Sequence, residues 1–292
     1  MRYEWTIPAG DQGKTLLEFL HSSFQEKNYS LKKVKGFIDA GYCFVNGRPE
    51  RFYRSRPPVR AKITLSLPAM PAKKNLDILL EDDVLIAFNK PAGISVDERL
   101  LADVAKMGKT IYLVHRLDKQ TTGILLCAKT EMYQKALMNQ FRERTVHKRY
   151  LAIVDNQLEQ DDGVIENYLG PIGRFGGSVK WGVVEQGGLF ARTDWSCKKR
   201  VKSASLVELR PQTGRTHQLR VHMASINHPI IGDFYYAQRF NYSYDASRQL
   251  LHAGFISFCH PETQRKIQLK APLPEDMSIA VRSIFGEDAC GF

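Results

Sequence analysis

No apolar run in this 292-residue chain approaches the roughly 18 residues that a membrane-crossing helix requires. The opening MRYEWTIPAGDQ has no apolar core of the kind a secretory leader carries, so no secretory signal is visible. Cysteine is scarce and scattered. Cys43, Cys127, Cys197, Cys259 and Cys290 are odd in number and widely spaced, and no C-x-x-C occurs. That pattern excludes both a disulfide framework and a cysteine zinc site, and it fits a reducing cytoplasm. His115, His217 and His222 do not follow H-E-x-x-H and no paired carboxylate accompanies them, so they read as scaffold or hydrogen-bonding residues, with no metal expected. Internal repeats are also absent. Acidic residues fall short of basic ones, 31 against 42, and the resulting charge of +11 points to a polyanionic partner. Nucleic acid is the first candidate and an anionic membrane surface the second.

A hydrophobic fraction of 43% is ample for a folded core in one large domain or two. The first unit spans residues 10–68. Leu16, Leu17, Phe19 and Leu20 begin one helical pattern, and Leu31 to Ala40 forms a second that carries Lys32, Lys33 and Lys35. Tyr42 to Val45 reads as a strand entering a tight hairpin at Asn46-Gly47, with Arg48 beyond it. This helix–helix–strand pattern ending in V-N-G resembles the small alpha-L RNA-binding module first known from a ribosomal protein. The resemblance makes the unit a small α/β RNA-binding domain, with Lys32, Lys33, Lys35 and Arg48 as its RNA contacts. Residues 69–75 have linker composition, with prolines that disfavour continuous helix or central strand.

Residues 76–277 are expected to form the second domain and 278–292 a C-terminal tail. Val84 to Phe88, Lys148 to Val154, Ala191 to Cys197 and Ser205 to Leu209 read as strands. Thr130 can cap a helix through Arg142, and a second helix runs from about Thr216 to Ile226. The glycine-rich stretch 170–188 shows no clear pattern and reads as loop. Several strands, few helices and no regular βαβ alternation argue for an α+β fold with a mixed or antiparallel sheet.

The stretch around which this domain is organised is Tyr112 to Thr130, YLVHRLDKQTTGILLCAKT. Two apolar strands flank a loop that holds one carboxylate, a cation on either side of it, two hydroxyls and a glycine. A loop clamped between core strands is a rigid mount for chemistry. The same composition also fits a plain turn whose Asp and Thr bond their own backbone. The segment resembles the HRLDxxTSG signature of the RluA-type family of RNA pseudouridine synthases, and four further segments follow suit in order. Asn89-Lys90-Pro91-Ala92-Gly93 resembles the family's K-P-x-G, FRERTVHKRYLAIV its K-x-Y-x-A segment, RPQTGRTHQLRVH its G-R-x-H-Q-L-R-x-H segment, and LLHAGFISFCHPETQRKIQLKAPLP its closing pieces.

The resemblance implies a bisected sheet with the active cleft across its middle, and isomerisation of uridine to pseudouridine in RNA. That reaction breaks the bond from the anomeric carbon to the ring nitrogen, turns the base and rejoins it through a ring carbon. Nothing is lost or oxidised, so no cofactor is expected. By resemblance Asp118 is the catalytic carboxylate, Arg220 the cation that keeps it ionised, and Tyr150 the aromatic that stacks on uracil or moves a proton. Arg116 helps displace the target base, and His115 and Thr122 complete the substrate-binding set. The expected substrate is structured RNA, with large-subunit ribosomal RNA favoured over tRNA, and the expected state a cytoplasmic monomer. The alternative is a catalytically inactive RNA-binding or ribosome-assembly protein on the same fold. A glycosidase would want two carboxylates flanking the bond, and the loop holds one.

Overall fold

The computed structural model describes residues 2–24, 29–39, 41–50, 52–66, 76–175, 178–237 and 240–286. Contacts divide the chain into two units, Met1–Lys73 and Lys74–Phe292. The first unit is built from β1 (Arg2–Thr6), α1 (Leu16–Ser23), α2 (Leu31–Asp39), β2 (Cys43–Val45), β3 (Arg48–Pro49) and β4 (Lys62–Ser66). Its strands form an antiparallel sheet in the order β1-β4-β2-β3. A reciprocal cap starts α1: the Thr15 hydroxyl accepts the Glu18 N–H, and the Glu18 carboxylate accepts the Thr15 N–H. Leu16, Phe19 and Leu20 from α1 and Val34 and Ile38 from α2 bury against Cys43, Ile63 and Leu65. Asn46 and Gly47 take positive φ angles of 51° and 76°, the geometry that an Asn-Gly hairpin supplies. The expected linker, 69–75, lies outside the described residues.

The second unit opens with β5 (Asp77–Glu81), β6 (Leu85–Lys90), α3 (Glu98–Ala105), β7 (Tyr112–Leu113), β8 (Thr122–Ala128) and α4 (Glu131–Arg142). It continues with β9 (His147–Asp155), β10 (Asp162–Phe175), β11 (Ser178–Val183), β12 (Leu189–Val201) and β13 (Ala204–Pro211). It closes with α5 (Gln218–Ser225), β14 (Leu251–Cys259), β15 (Lys266–Lys270) and α6 (Glu275–Phe285). The sheet order is β11-β10-β12-β13-β9-β14-β8-β6-β5, with β15 added to β14 and β7 to β8. Every pairing is antiparallel except β14 with β8, which meet in parallel over only two residue pairs, His252 with Thr122 and Ala253 with Gly123. Past that contact β14 pairs with β15. The sheet is therefore mixed and bisected at a narrow seam, and the loop carrying Asp118 leads straight into it.

Two expectations change. The stretch 170–188 is not a loop, because much of it belongs to the β10–β11 hairpin at the sheet edge. Some of its glycines answer to crowding, since a Cβ on Gly182 would stand 2.5 Å from the Ile172 side chain, while Gly173 and Gly187 take positive φ angles of 144° and 70°. Residues 278–285 are not tail. They continue α6, which buries Met277, Ala280, Val281 and Ile284 against Leu151, Ile153 and Leu206. Spacing of 277, 280, 281 and 284 is that of one helical face.

Gly123 marks the tightest point of the seam. Its φ is +108°, and a Cβ there would lie 2.2 Å from the Ala253 carbonyl oxygen. Gly123→Ala is expected to destabilise the second unit by at least about 2 kcal/mol, through backbone strain and forced separation of β8 from β14. Gly214→Ala, where a Cβ meets nothing within 4 Å, should leave the melting temperature almost unchanged. Thermal unfolding followed by circular dichroism compares the two.

Candidate active site

The loop between β7 and β8 is fastened along its length. Val114 and Leu117 are both buried, and each enters a different hydrophobic cluster of the unit. The Lys119 carbonyl accepts the Gly93 N–H at 2.7 Å and the ammonium of the fully buried Lys90 at 3.2 Å. That ammonium also donates to the carbonyls of Pro91 and Ile94. The Gln120 carbonyl accepts from buried Arg248 at 3.1 Å, and Arg248 is itself forked onto Asp276 of α6. Gln249 donates to the Thr121 hydroxyl, while the Thr122 hydroxyl bonds His252 Nδ1 at 2.9 Å. Four consecutive residues beyond Asp118 are thus held by other parts of the fold, which leaves its carboxylate little freedom of position.

Opposite stands α5, a helix buried from Gln218 to Met223 even though Gln218, Arg220 and His222 are polar. Such burial is tolerable only when each polar group is bonded. Gln218 accepts from the Thr213 hydroxyl and the Arg215 N–H, and it donates to the Arg192 carbonyl and the Thr193 hydroxyl. His222 joins Thr193 to Asn167. Arg220 donates through Nε and Nη2 to both oxygens of Asp233, at 2.6 and 2.8 Å, and through Nη1 to Asp118 Oδ2 at 3.1 Å. Burial works against the guanidinium charge, but Asp233 and then Asp118 outweigh it and hold the Arg220 pKa above its ordinary value. The rings of Tyr235 and Tyr236 lie 5.5 and 5.1 Å from its central carbon.

Tyr150, on β9, pairs in register with Ala253, which in turn pairs with Gly123 across the seam. The phenol is buried. Burial and, second, the charge of Asp118 push its pKa upward, so it keeps its proton near neutral pH. The structure therefore brings Asp118 and Arg220 into contact and sets Tyr150 within the electrostatic reach of the carboxylate. Arg116 is exposed on the same loop, where its charge acts on His217.

His115 and Thr122 point elsewhere. His115 Nε2 accepts the Leu126 N–H at 2.9 Å, and its ring stacks on Phe141. Burial and the nearby Lys148 charge lower its pKa to about 3, against a backbone bond with Arg116, so it is neutral. Thr122 is buried on His252. Both expected substrate contacts are occupied with holding the loop. In the first unit Lys32 and Lys33 are exposed on α2, with the Lys33 ammonium 4.2 Å over the Tyr29 ring. Lys35 pairs with Asp39 and sits 4.6 Å over Tyr53. The Arg48 side chain lies outside the described residues.

No role is read from the sequence for Asp233, for Arg248 or for Lys90 of the K-P-x-G segment. Asp233 carried a usable signal: a carboxylate directly after Ile230-Ile231-Gly232 is set to be buried, and a buried carboxylate needs a cation. Among the described residues no cluster of three or more His, Cys, Asp or Glu is placed to hold a metal.

A model of the RNA pseudouridylate synthase family matches residues 84–225, which span the Asp118 loop, Tyr150 and Arg220. A Bacillus subtilis protein, YlyB, named as an uncharacterized RNA pseudouridine synthase, is 33% identical over 95% of this chain and 97% of its own length. The chain belongs to the RNA pseudouridylate synthase family. The ribosomal large subunit pseudouridine synthase D of Neisseria meningitidis is 34% identical over 86% of this synthase and 74% of its own length. The protein of that name from Xylella fastidiosa is 31% identical over 98% and 94%. Among solved structures, human RNA pseudouridylate synthase domain containing 1 superposes with a TM-score of 0.60 at 25% identity, covering 70% of this chain and 86% of that one.

In this synthase the geometry amounts to one half-buried carboxylate, one of its oxygens engaged by a buried cation and the other without a hydrogen bond among the described residues. Asp233 is the element that fixes the cation. Asp233→Asn leaves Arg220 buried with half its counter-charge removed, a change expected to cost about 3 kcal/mol or more. The melting temperature should fall by several degrees and turnover by at least about tenfold, while Asp118→Asn should leave the melting temperature near wild type. Parallel thermal melts and activity assays separate the two carboxylates.

Proposed function

We propose that this isomerase converts specific uridines in structured large-subunit ribosomal RNA to pseudouridine, with Asp118 as the catalytic carboxylate. The observation that carries the assignment is the pair Asp118–Arg220, in which one oxygen of a partly exposed carboxylate is bonded to a buried guanidinium and the other accepts no hydrogen bond among the described residues. An ionised oxygen at that point can act on the ribose, either by attack at the anomeric carbon or by removing a sugar proton, and the same oxygen serves both routes. Tyr150 stacks under the uracil and retains it while the glycosidic bond is broken. Arg116, exposed beside the site, enters the space left when the uridine is extruded. The carbon–nitrogen bond breaks, a carbon–carbon bond forms, and a proton passes from ring carbon to ring nitrogen, so atoms and electrons balance with no cofactor.

Ribosomal RNA as the substrate rests on relatives named for the ribosomal large subunit. The net charge of +11 suits such a polyanion, and Lys32 and Lys33 on the exposed face of α2 make phosphate contacts within the N-terminal RNA-binding unit. No helix among the described residues is long and apolar enough to cross a membrane. A ribosomal RNA substrate, as the names of these relatives suggest, would place the protein in the cytoplasm.

Asp118→Asn should abolish pseudouridine formation in a ribosomal RNA fragment while leaving RNA affinity unchanged or slightly raised, because a negative charge has left a basic site. Substantial turnover by the well-folded variant would sink the assignment. Mapping pseudouridines in cells with and without the protein locates the target, and changes confined to tRNA would redirect the substrate. Replacing Lys32 and Lys33 together with alanine should flatten the dependence of log affinity on log salt by about 1.4 for a single-stranded contact. An unaltered slope would mean that this face of α2 does not meet phosphate.

A further inference from the structure

His217 is the one strained residue at the centre of the site. It precedes α5 with φ 56° and ψ 16°, a left-handed conformation that costs a non-glycine residue about 1 kcal/mol or more and persists only where the surroundings enforce it. The enforcement is visible. Gln218 is locked by four hydrogen bonds on the helix side, and Tyr236 holds the ring, its hydroxyl 2.8 Å from His217 Nδ1. Tyr235 and Tyr236 both meet the imidazole edge-on. The other nitrogen, Nε2, lies 3.9 Å from Asp118 Oδ1.

That distance is too long for a hydrogen bond. An oxygen set to one side of the line between them can stand within hydrogen-bond reach of both, at about 2.8 Å from each. Asp118 Oδ2 is taken by Arg220, and Oδ1 accepts no hydrogen bond among the described residues. A lone pair on Nε2 facing this carboxylate would be repelled, so the proton sits on Nε2, and Nδ1 accepts from the Tyr236 hydroxyl. Burial, followed by the charge of Arg220, lowers the His217 pKa, which keeps the ring neutral and this tautomer in place. The gap is therefore bordered by one N–H donor and one carboxylate acceptor. A hydroxyl can accept from the first while donating to the second, and neither a C–H group nor a carbonyl can do both.

We propose that His217 and Asp118 together bind the 2′-hydroxyl of the target ribose, with His217 the donor that makes the site select a ribonucleotide. The proposal rests on the reading that Asp118 faces the ribose. In RNA the 2′-hydroxyl is the donor and acceptor group that DNA lacks, and it lies one carbon from the anomeric centre. Seating it between Nε2–H and Oδ1 would hold that centre beside the catalytic oxygen. Tyr236 then acts as a positioning residue, setting the tautomer and ring plane without touching substrate.

The test uses the full-length protein and a stem-loop carrying the uridine that cellular mapping identifies. Two versions hold the reaction product at that position, pseudouridine or 2′-deoxypseudouridine, so that turnover does not intrude on binding. Wild type should bind the ribo form roughly tenfold tighter, the scale of a hydrogen bond to a charged group. His217→Ala should reduce that preference at least about threefold, and Tyr236→Phe should reduce it in part. His217→Asn covers the case in which alanine destabilises the fold. Asparagine tolerates the left-handed backbone and can accept from Tyr236, but it is too short to reach the gap. An undiminished preference in His217→Ala or His217→Asn, including one that persists because water fills the gap, would overturn the proposal. A turnover defect with that preference intact would make His217 structural. Failure of the underlying site reading is recognised separately, by an Asp118→Asn enzyme that still turns over.

Discussion

A guanidinium that is almost wholly buried cannot stand alone, and Arg220 resolves this by spanning two carboxylates. Asp233 supplies a bidentate partner on the buried side and Asp118 a single contact on the open side. Losing Asp233, the buried bidentate partner, would cost about 3–5 kcal/mol, whereas Asp118 adds one contact at the partly exposed end; through both, Arg220 couples the loop before β8, helix α5 and the turn after Ile231. The two carboxylates are not equivalent. Asp233 neutralises the cation, which spares one oxygen of Asp118 from structural duty and leaves it without a hydrogen bond among the described residues.

The same economy governs the rest of the loop. Lys90 and Arg248, both buried cations, direct their donors at backbone carbonyls of residues 119 and 120. Charge-assisted bonds of this kind are stronger and more directional than neutral ones. They explain in physical terms why a K-P-x-G segment accompanies the Asp118 loop in one chain; the closing L-H-A segment adds a neutral bond, from His252 to Thr122. Lys90 ends β6, and Arg248 and His252 bracket the start of β14. Each reaches the loop from its own side of the seam.

Residue types in a motif do not announce their orientation. His115 and Thr122 belong to the loop as surely as Asp118 does, yet their polar atoms turn inward to Leu126 and His252. His217 read as a scaffold histidine because no metal-ligand spacing surrounded it. Its left-handed backbone and the tyrosine clamp, neither legible from composition, aim one nitrogen at the open oxygen of Asp118.

By itself the sequence determined the two-part organisation, the strand–loop–strand around Asp118, the α4 cap at Thr130 and the mixed α+β class, because period, capping and turn chemistry are local. Ordered motifs carried the family resemblance and with it the pairing of Asp118 with Arg220. Tertiary structure alone decided that Asp233 completes the ion pair, that Lys90 and Arg248 hold the loop, and that 170–188 is largely hairpin. It also placed α6 in the core, where a face spaced 277, 280, 281 and 284 finds a partner in Leu151 and Ile153 more than a hundred residues away. The reason is common to all of these. A buried charge, a glycine under a neighbouring side chain and a half-apolar helix each acquire meaning from what stands opposite, and what stands opposite is set by the sheet order rather than by the chain order.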